Sequence, residues 1–570
     1  MSNSQRKPYL TATVLDQDFL DAAQDNMTND LRLIVEIDAP GGTIYASDRN
    51  IYVGDTFYEA LLKFPLARRT LGDWLTPTLQ FSVMPLELNN STGRFNNILP
   101  AGDDFGGWIQ RAVVIKLGLR DVESTYTTIF RGRITEVGGY SRTTKSIKLV
   151  ARDEFDKINE KFPKIPLTLS NYANIEDRFI GKVKPVIYGD WTTAINPDIG
   201  ASVPAIPLNT FGIANTINVE YLISENANVS FDTTKVFLVR SSEAFPILAA
   251  DIANVGGSND VFEIKQSGSG GTTLINGVAW DYKSGDKIYV QVKGADLGAY
   301  DDNIVEIARN IMVTYTDAVP GDFDANWNTF RDKAAPAESA ISTFKARVYR
   351  DKPVKAITFA LSLLEQVRLE GFVDRDLKFK LNSLHLDDFP TVADSFDISN
   401  WDLEKGSFVP KVDERNNFNR VQGIFNFLPD LNDEQNLTPF FRNNDSISVL
   451  SNGKVIEKGV VFPNLYVEAT VNLQVQEILK LSSSFFEIID CRFTWRSLLL
   501  DLGDFVALDI DIGSTVLTGV PCMVRNIGYD PKGIKLPVKL WSFQMTPYPN
   551  YIPGFPNTVG GSTATITEET

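Results

Sequence analysis

Residues 130–153 read FRGRITEVGGYSRTTKSIKLVARD. An alternating run ends at Gly139–Tyr140, a polar turn follows, and a second alternating run begins at Lys145. Apolar/polar alternation broken by a short glycine-containing turn is the pattern of a β-hairpin. On the N-terminal side lie LRLIVEID (31–38), IYVGDTFYEA, TLQFSVMPLEL and AVVIKLGLRD, each short, apolar and bounded by turn residues. Strands at this spacing predict an all-β unit, either a sandwich or a barrel.

A second stretch, LTGVPCMVRNIGYDPKGIKLPVKL (517–540), repeats the opening pattern. Gly139, Tyr140, Lys145, Ile147, Lys148 and Leu149 match Gly528, Tyr529, Lys532, Ile534, Lys535 and Leu536, with turns that differ by two residues. Either the chain carries two similar β-barrels, one near each end, or both stretches use ordinary hairpin vocabulary. Around this second stretch, FFEIIDCRFTW and DFVALDIDI extend the β pattern over 485–546.

Between the two ends the texture changes. Six prolines from Pro163 to Pro207 predict an irregular connector, because each removes a backbone donor. INVEYLIS, KVFLVRS, VFEIKQ and DKIYVQVKG predict a β-domain inserted at 211–300, peripheral enough to be removed. Three helices follow. Asp302 is placed to cap a run with Ile304, Ile307, Ala308, Ile311, Met312 and Tyr315 on one face. Pro353 opens a second, which Gly371 ends, and a third spans 466–482. The small, polar last 18 residues read as an extended or disordered tail.

The fold expected is mainly β with α+β parts, in several domains. These are an N-terminal arm (1–27), a first β-barrel domain (28–165), a connector (166–210) and the inserted β-domain (211–300). A mixed helical/β middle domain (301–400), a second β-barrel domain with one helix (401–546) and a C-terminal tail (547–570) complete it.

Composition narrows the function. The 570 residues hold 55 basic and 72 acidic side chains, net −17. Such a chain repels nucleic acid, so no sequence-specific nucleic-acid partner is expected. One histidine excludes a multi-imidazole metal site, and two cysteines exclude a disulfide framework. No run of 18 apolar residues spans a membrane, so no membrane anchor is expected. The opening MSNSQRKPYLTATVLDQ lacks the apolar core of a secretory signal.

Candidate chemical groups are few. His385 sits beside Asp387 and Asp388, which suggests a cation site or a general base, but no second imidazole completes the set and the segment reads as a surface loop. Cys491 and Cys522 lie within apolar strands, with no feature that would lower a thiol pKa. The carboxylates Asp103, Asp104, Asp301, Asp302, Asp501, Asp504, Asp509 and Asp511 read as acidic surface. No phosphate-loop, dinucleotide or nucleophile-elbow motif occurs. Residues 331–380 are locally basic, 11 Lys/Arg against 7 Asp/Glu. No catalytic residue, cofactor-binding residue or metal ligand is therefore expected.

In order along the chain, IYVGDTFYEA, FNNILPAGDDFGGWIQRAVVIKLGL, IFRGRITEVGGYSRTTKSIKLVARDEFDKIN, KPVIYGDW (184–191), DNIVEIARNIMVTYTD (302–317), NFNRVQGIFNF (417–427) and LLLDLGDFVALDI (498–510) resemble the hub proteins of bacteriophage tail tips and baseplates, including those of gene-transfer agents. The resemblance covers about 28–546, and the 211–300 insert departs from it. It implies two tail-tube-like barrels per chain and a homotrimer whose pseudo-sixfold ring adapts a sixfold tail tube to a threefold spike or fibre. The implied partners are the tail tube or distal tail protein, the tape-measure protein and spike or tail fibre proteins. The implied location is the virion, after assembly in the host cytoplasm. The alternative is a carbohydrate-binding or carbohydrate-cleaving tail protein using insert aromatics such as Phe211, Tyr221, Phe262 and Trp280.

Overall fold

The computed structural model describes residues 31–542 and 566–569, apart from 64–66, 71–82, 100–101, 103–105, 120–122, 124–125, 142, 154–159, 193–198, 211–213, 227, 256–258, 333–343, 375–377, 386–395, 414–417, 430–435, 444–453, 483–485, 495–499, 512–515 and 530–535. The arm 1–27, most of the tail, and Asp103, Asp104, Phe211, Asp387, Asp388, Lys532, Ile534 and Lys535 lie outside the described residues.

The first nine strands are β1 (Leu31–Ala39), β2 (Gly42–Ser47), β3 (Ile51–Val53), β4 (Thr56–Ala60), β5 (Ala67–Thr70), β6 (Val83–Asn89), β7 (Ala112–Leu119), β8 (Thr127–Ser141) and β9 (Ser146–Asp153). Eight of them form one sheet in the order β3-β4-β2-β1-β7-β8-β9-β6. The sheet closes on itself. β4 runs parallel to β2, and the residues after β4 pair with β6 through Leu62 and Leu88 and through backbone bonds Lys63 N to Glu87 O and Asn89 N to Leu61 O. A barrel results. Leu33, Val35 and Ile37 of β1 face its interior, while Ile34, on the opposite face, is covered by Ile51 and Tyr58 of the β3–β4 hairpin. Burial on both faces explains why LRLIVEID alternates only in part. In the β8–β9 hairpin, Tyr140 pairs with Ile147 and a bulge falls between Val137 and Tyr140. Gly139 adopts φ +83° there, a left-handed backbone that favours glycine.

After β10 (Lys161–Phe162) and β11 (Val186–Tyr188) come β12 (Val203–Pro207), β13 (Val219–Leu222), β14 (Asn228–Arg240), β15 (Glu243–Pro246), β16 (Ile252–Asn254), β17 (Val261–Ile264), β18 (Leu274–Ile275), β19 (Val278–Ala279) and β20 (Lys287–Ala295). Seven of these form a sheet in the order β15-β14-β20-β12-β13-β17-β16. Its central strand β12 comes from the proline-rich stretch read as connector. The sheet also shares its apolar core with Ile187 and Trp191, and Leu167 and Ile175 pack against Ile206 and Leu222. The connector supplies a strand of its own, and connector and insert share apolar cores.

The middle region holds α1 (Ile304–Tyr315), α2 (Asn326–Asp332), β21 (Val348–Arg350), β22 (Val354–Lys355), α3 (Ala356–Glu365), β23 (Leu369–Val373) and β24 (Phe379–Ser383). The cap of α1 is Asn303, one residue beyond the expected Asp302. Its side chain accepts bonds from the N–H of Val305 at 3.0 Å and Glu306 at 3.1 Å. Asp302 instead pairs with Lys345 at 2.9 Å. α3 stops well before Gly371, because Arg368 at φ +59° turns the chain into β23. Gly371 lies inside β23, where a Cβ would stand 2.3 Å from Leu361 Cδ2 of α3. In KPVIYGDW, β11 pairs with β21, and Gly189, at φ +81°, allows a backbone approach in which a Cβ would meet Ala346 O at 2.3 Å.

The rest of the chain builds β25 (Phe396–Ser399), β26 (Val409–Asp413), β27 (Arg420–Phe425), β28 (Asn436–Leu437), β29 (Phe440–Asn443), β30 (Glu457–Phe462), α4 (Glu468–Ser482), β31 (Phe486–Phe493), β32 (Phe505–Asp511), β33 (Val516–Tyr529), β34 (Leu536–Ser542) and β35 (Ile566–Glu569). A sheet ordered β25-β32-β33-β34-β31-β26 curls as the first does. β25 runs parallel to β32, and the residues after it pair with the end of β31 through Leu403–Phe493 and Glu404 N to Arg492 O. β5, from the first barrel's segment, adds to β33 from Ala67↔Tyr529 to Thr70↔Asn526. The interiors of both barrels belong to one continuous apolar cluster.

Residues 418–482 leave this second barrel. β27 and α4 pack instead with α1 and α3 in a separate core. The tail does not end unpaired, since β35 runs antiparallel to β29.

Candidate functional site

The candidate chemical residues are scattered and occupied structurally. Cys491 and Cys522 are buried free thiols in the second barrel. Cys491 Sγ lies 3.8 Å from Val538 O, and burial pushes its pKa well up, away from the thiolate. Asp504 accepts from Asp501 N at 2.7 Å and Asp501 from Leu502 N at 2.7 Å, which fixes the turn into β32. Asp509 accepts from Gly519 N at 2.8 Å in the next hairpin. Among the described residues, no three His, Cys, Asp or Glu side chains are placed to hold a metal ion. No described helix is long and apolar enough to cross a membrane. Several insert aromatics face inward: Tyr221 stacks on Phe262 at 5.5 Å, Phe231 lies 4.8 Å from Phe262, and Trp280 is buried, while Phe237 lies outside this core.

His385 is buried, not in a surface loop. Nε2 is 3.0 Å from Val367 O, Nδ1 is 4.0 Å from a Glu477 carboxylate oxygen, and the ring stacks on Phe344. It belongs to a cluster of charges that sequence reading missed. Arg525 of β33 makes a two-pronged pair with Glu370 of β23, one bond at 2.8 Å, with side chains only 2% and 1% exposed. The guanidinium lies 3.8 Å from the centre of the Trp541 ring. Arg368 is wholly buried beside Glu477, Glu370 and Glu365, and burial lowers its pKa to about 10. Burial raises the Glu365 carboxyl to about 7, countered by Arg368. Glu477 of α4 also pairs with Lys480 at 2.6 Å. These groups join α3, β23 and α4 of the middle region to β33 and β34 of the second barrel. The cluster holds two pieces of protein together. The signal that could have flagged it is Glu477 between Val475 and Ile478, a charge on a helix face that also buries Thr470 and Gln474.

The outer surface carries two other features. On the second barrel, a groove of about 570 Å³ opens where the loop 404–408 leaves β31 before β26 begins. Its lining includes Val409, Pro537, Lys405, Arg492 and Lys539 with the carboxylates of Glu404 and Asp490, while Cys491 and Val538 beneath it belong to the barrel core. On the first barrel, the β3–β4 hairpin exposes Tyr52 (67%) and Phe57 (43%), a cross-strand pair with rings 5.0 Å apart.

No family model matches the sequence, and no curated protein does. Solved structures of tail proteins align with the fold. The 43 kDa tail protein of prophage MuSo2 from Shewanella oneidensis aligns over 90% of this chain and 98% of its own, at 8% identity and TM-score 0.38. A tail protein from Neisseria meningitidis MC58 covers 90% and 96%, at 7% identity and TM-score 0.38. A chain of the native gene transfer agent virion covers 56% and 96%, at 14% identity and TM-score 0.20.

Proposed function

We propose that the chain is a structural, non-catalytic protein of a phage tail, a trimeric hub at the tail tip or baseplate. One face of its ring meets the tail tube or distal tail protein and the tape-measure protein, and the other seats a spike or tail fibre. The observation that carries this reading is the pair of closed barrels, one from each end of the chain, joined by β5 and one apolar core. A rigid two-barrel unit lets three chains present six barrels to a sixfold tube and three middle regions to a threefold partner. The acidic balance of the chain suits the wall of a DNA conduit, since negative walls do not hold a polyanion. Closing that conduit and host attachment belong to the same reading. The hub reading is preferred to the carbohydrate alternative because Tyr221, Phe262 and Trp280 of the insert lie in its core.

Light scattering with electron cryomicroscopy of the purified full chain tests it. The expected particle has a mass of about 190 kDa, three times 63.4 kDa, with a ring of six similar densities. A hexamer contributing one barrel per chain, or a chain that stays monomeric up to its solubility limit, overturns the reading.

A further inference from the structure

The ring proposed above requires one face of the chain to recognise another face of its copy, and two unlike surfaces have complementary chemistry. The first is the tip of the β3–β4 hairpin. Tyr52 and Phe57 stand exposed, Gly54–Asp55 forms the turn, and the Glu123 carboxylate lies against Gly54. Asp55 and Glu123 are both exposed. The tip is therefore an aromatic pair edged by negative charge. Tyr58 on the opposite face of the hairpin is buried against the barrel and donates to Glu36 at 2.8 Å, so the hairpin is held by its inner face while its outer face is free.

The second is the groove beside β26. It offers the apolar Val409 and Pro537, and its charged lining, Lys405, Arg492 and Lys539 against Glu404 and Asp490, is positive by one in a chain that is strongly negative overall. Arg492 is satisfied by Glu404 at 3.3 Å, and Asp490 by Lys411 at 2.6 Å. Lys405 and Lys539 have no ion-pair partner among the described residues. Among the described residues β26 keeps one edge without a strand partner, but Pro410 removes a donor from that strand, which discourages open-ended sheet growth. What this surface accepts is a side-chain anchor with acidic flanks.

We propose that the β3–β4 tip of one copy docks into the groove of the next, with Tyr52 and Phe57 over Val409 and Pro537 and with Asp55 and Glu123 facing Lys405 and Lys539. The occupant is a second copy of this chain. Among exposed apolar groups elsewhere, Leu274 and Val278 flank the uncharged Asn276–Gly277 turn, and Leu437 and Val461 flank Ile424 on a flat sheet. Neither combines aromatic anchors with acid. The contact is head-to-tail, so repetition around an axis closes a ring. Buried aromatic anchors with charged flanks are the usual centre of such interfaces.

The test uses the full-length chain and measures the concentration at which the ring half-assembles. Two charge reversals, Asp55→Lys with Glu123→Lys and Lys405→Glu with Lys539→Glu, should each raise that concentration by roughly tenfold or more. Combined in one chain they should restore it. Tyr52→Ser with Phe57→Ser should abolish assembly while far-ultraviolet circular dichroism remains that of the wild type. Oxidising Asp55→Cys, Lys405→Cys protein should yield chains linked to one another by disulfides. This inference rests on the ring reading, and the two fail differently. A wild-type chain that never assembles overturns the ring. Rings that form equally well in both single-sided reversals, or that the combined swap does not rescue, overturn the docking and leave the ring standing.

Discussion

Replacing Arg525 by Met is the sharpest probe of the joint between the middle region and the second barrel. Methionine keeps most of the volume and removes the cation. Glu370 then remains 1% exposed with its two-pronged partner gone. Stranding one member of a buried ion pair costs about 3–5 kcal/mol. Loss of the guanidinium from the Trp541 face adds about 0.5–2 kcal/mol. The pair as a whole contributes far less than its breakage costs, because both charges were taken out of water to form it. Arg525→Met combined with Glu370→Leu should therefore lie within about 1 kcal/mol of the wild type or above it. Native-state hydrogen exchange at the amides of β23 and β33 reads this out. At about 1.4 kcal/mol per tenfold, the single variant should speed exchange there by roughly two and a half to five orders of magnitude. The double variant should return to within about tenfold, and amides of β1 and β7 in the first barrel should move little in either. Exchange in the single variant within about threefold of the wild type, or a double variant as impaired as the single, would refute the reasoning.

Three further outcomes follow from the same structure. The Glu365 carboxyl is held up at about 7 by burial, so between its unfolded value of about 4.3 and 7 the native chain keeps a proton that the unfolded chain has lost. Stability should fall as pH rises through that window, and Glu365→Gln should flatten the slope in thermal melts taken from pH 4 to 8; an unchanged slope would show that Glu365 does not titrate there. Deleting 211–300 behind a Gly/Ser bridge should give insoluble protein, because it strips β12 of β13 and β20 and uncovers Ile187 and Trp191; a soluble product that still assembles would show that β12 and β11 hold without the insert. Asn303→Ala should destabilise the chain by about 1 kcal/mol in urea through loss of the α1 cap, while Asp302→Ala should leave the amides of the first turn of α1 protected.

Local signals were legible where the partner of a residue is close in sequence. The 130–153 hairpin forms at the expected turn, and the α1 stripe is buried as its period predicts. Its cap was misassigned by one position, since Asp302 and Asn303 are equally good caps in sequence and only Asn303 points back at the helix. The α3 reading ran too far because Val367 and Leu369 are buried for another reason, as part of the turn into β23. His385 was misread because its aspartate neighbours suggested solvent. Its burial is set by Val367, Phe344 and Glu477, the last of them 92 positions away in the sequence. The course of 418–482 was hidden similarly. Nothing in β27 or α4 says which of two available cores their apolar faces will join, and the choice is made by α1 and α3.

The second barrel has two junctions, made of different materials, and the difference governs how each can move. Toward the first barrel it shares a strand pairing and a continuous apolar interior. Separating that seam exposes apolar area at about 25 cal/mol per Å², with no compensating hydration. Toward the middle region it presents Arg525 to a cluster holding Glu370, Arg368, Glu365, His385 and Glu477. When that joint parts, its charges regain water, so the net cost of opening is smaller than its buried area suggests. A shift in register is a different matter, because it leaves the same charges buried and unpaired at a cost of several kcal/mol. The ionic joint therefore admits one docked arrangement and an open one, and it penalises those between. That is the physical reason to look for the Arg525→Met effect at β23 and β33 rather than at the seam between the barrels.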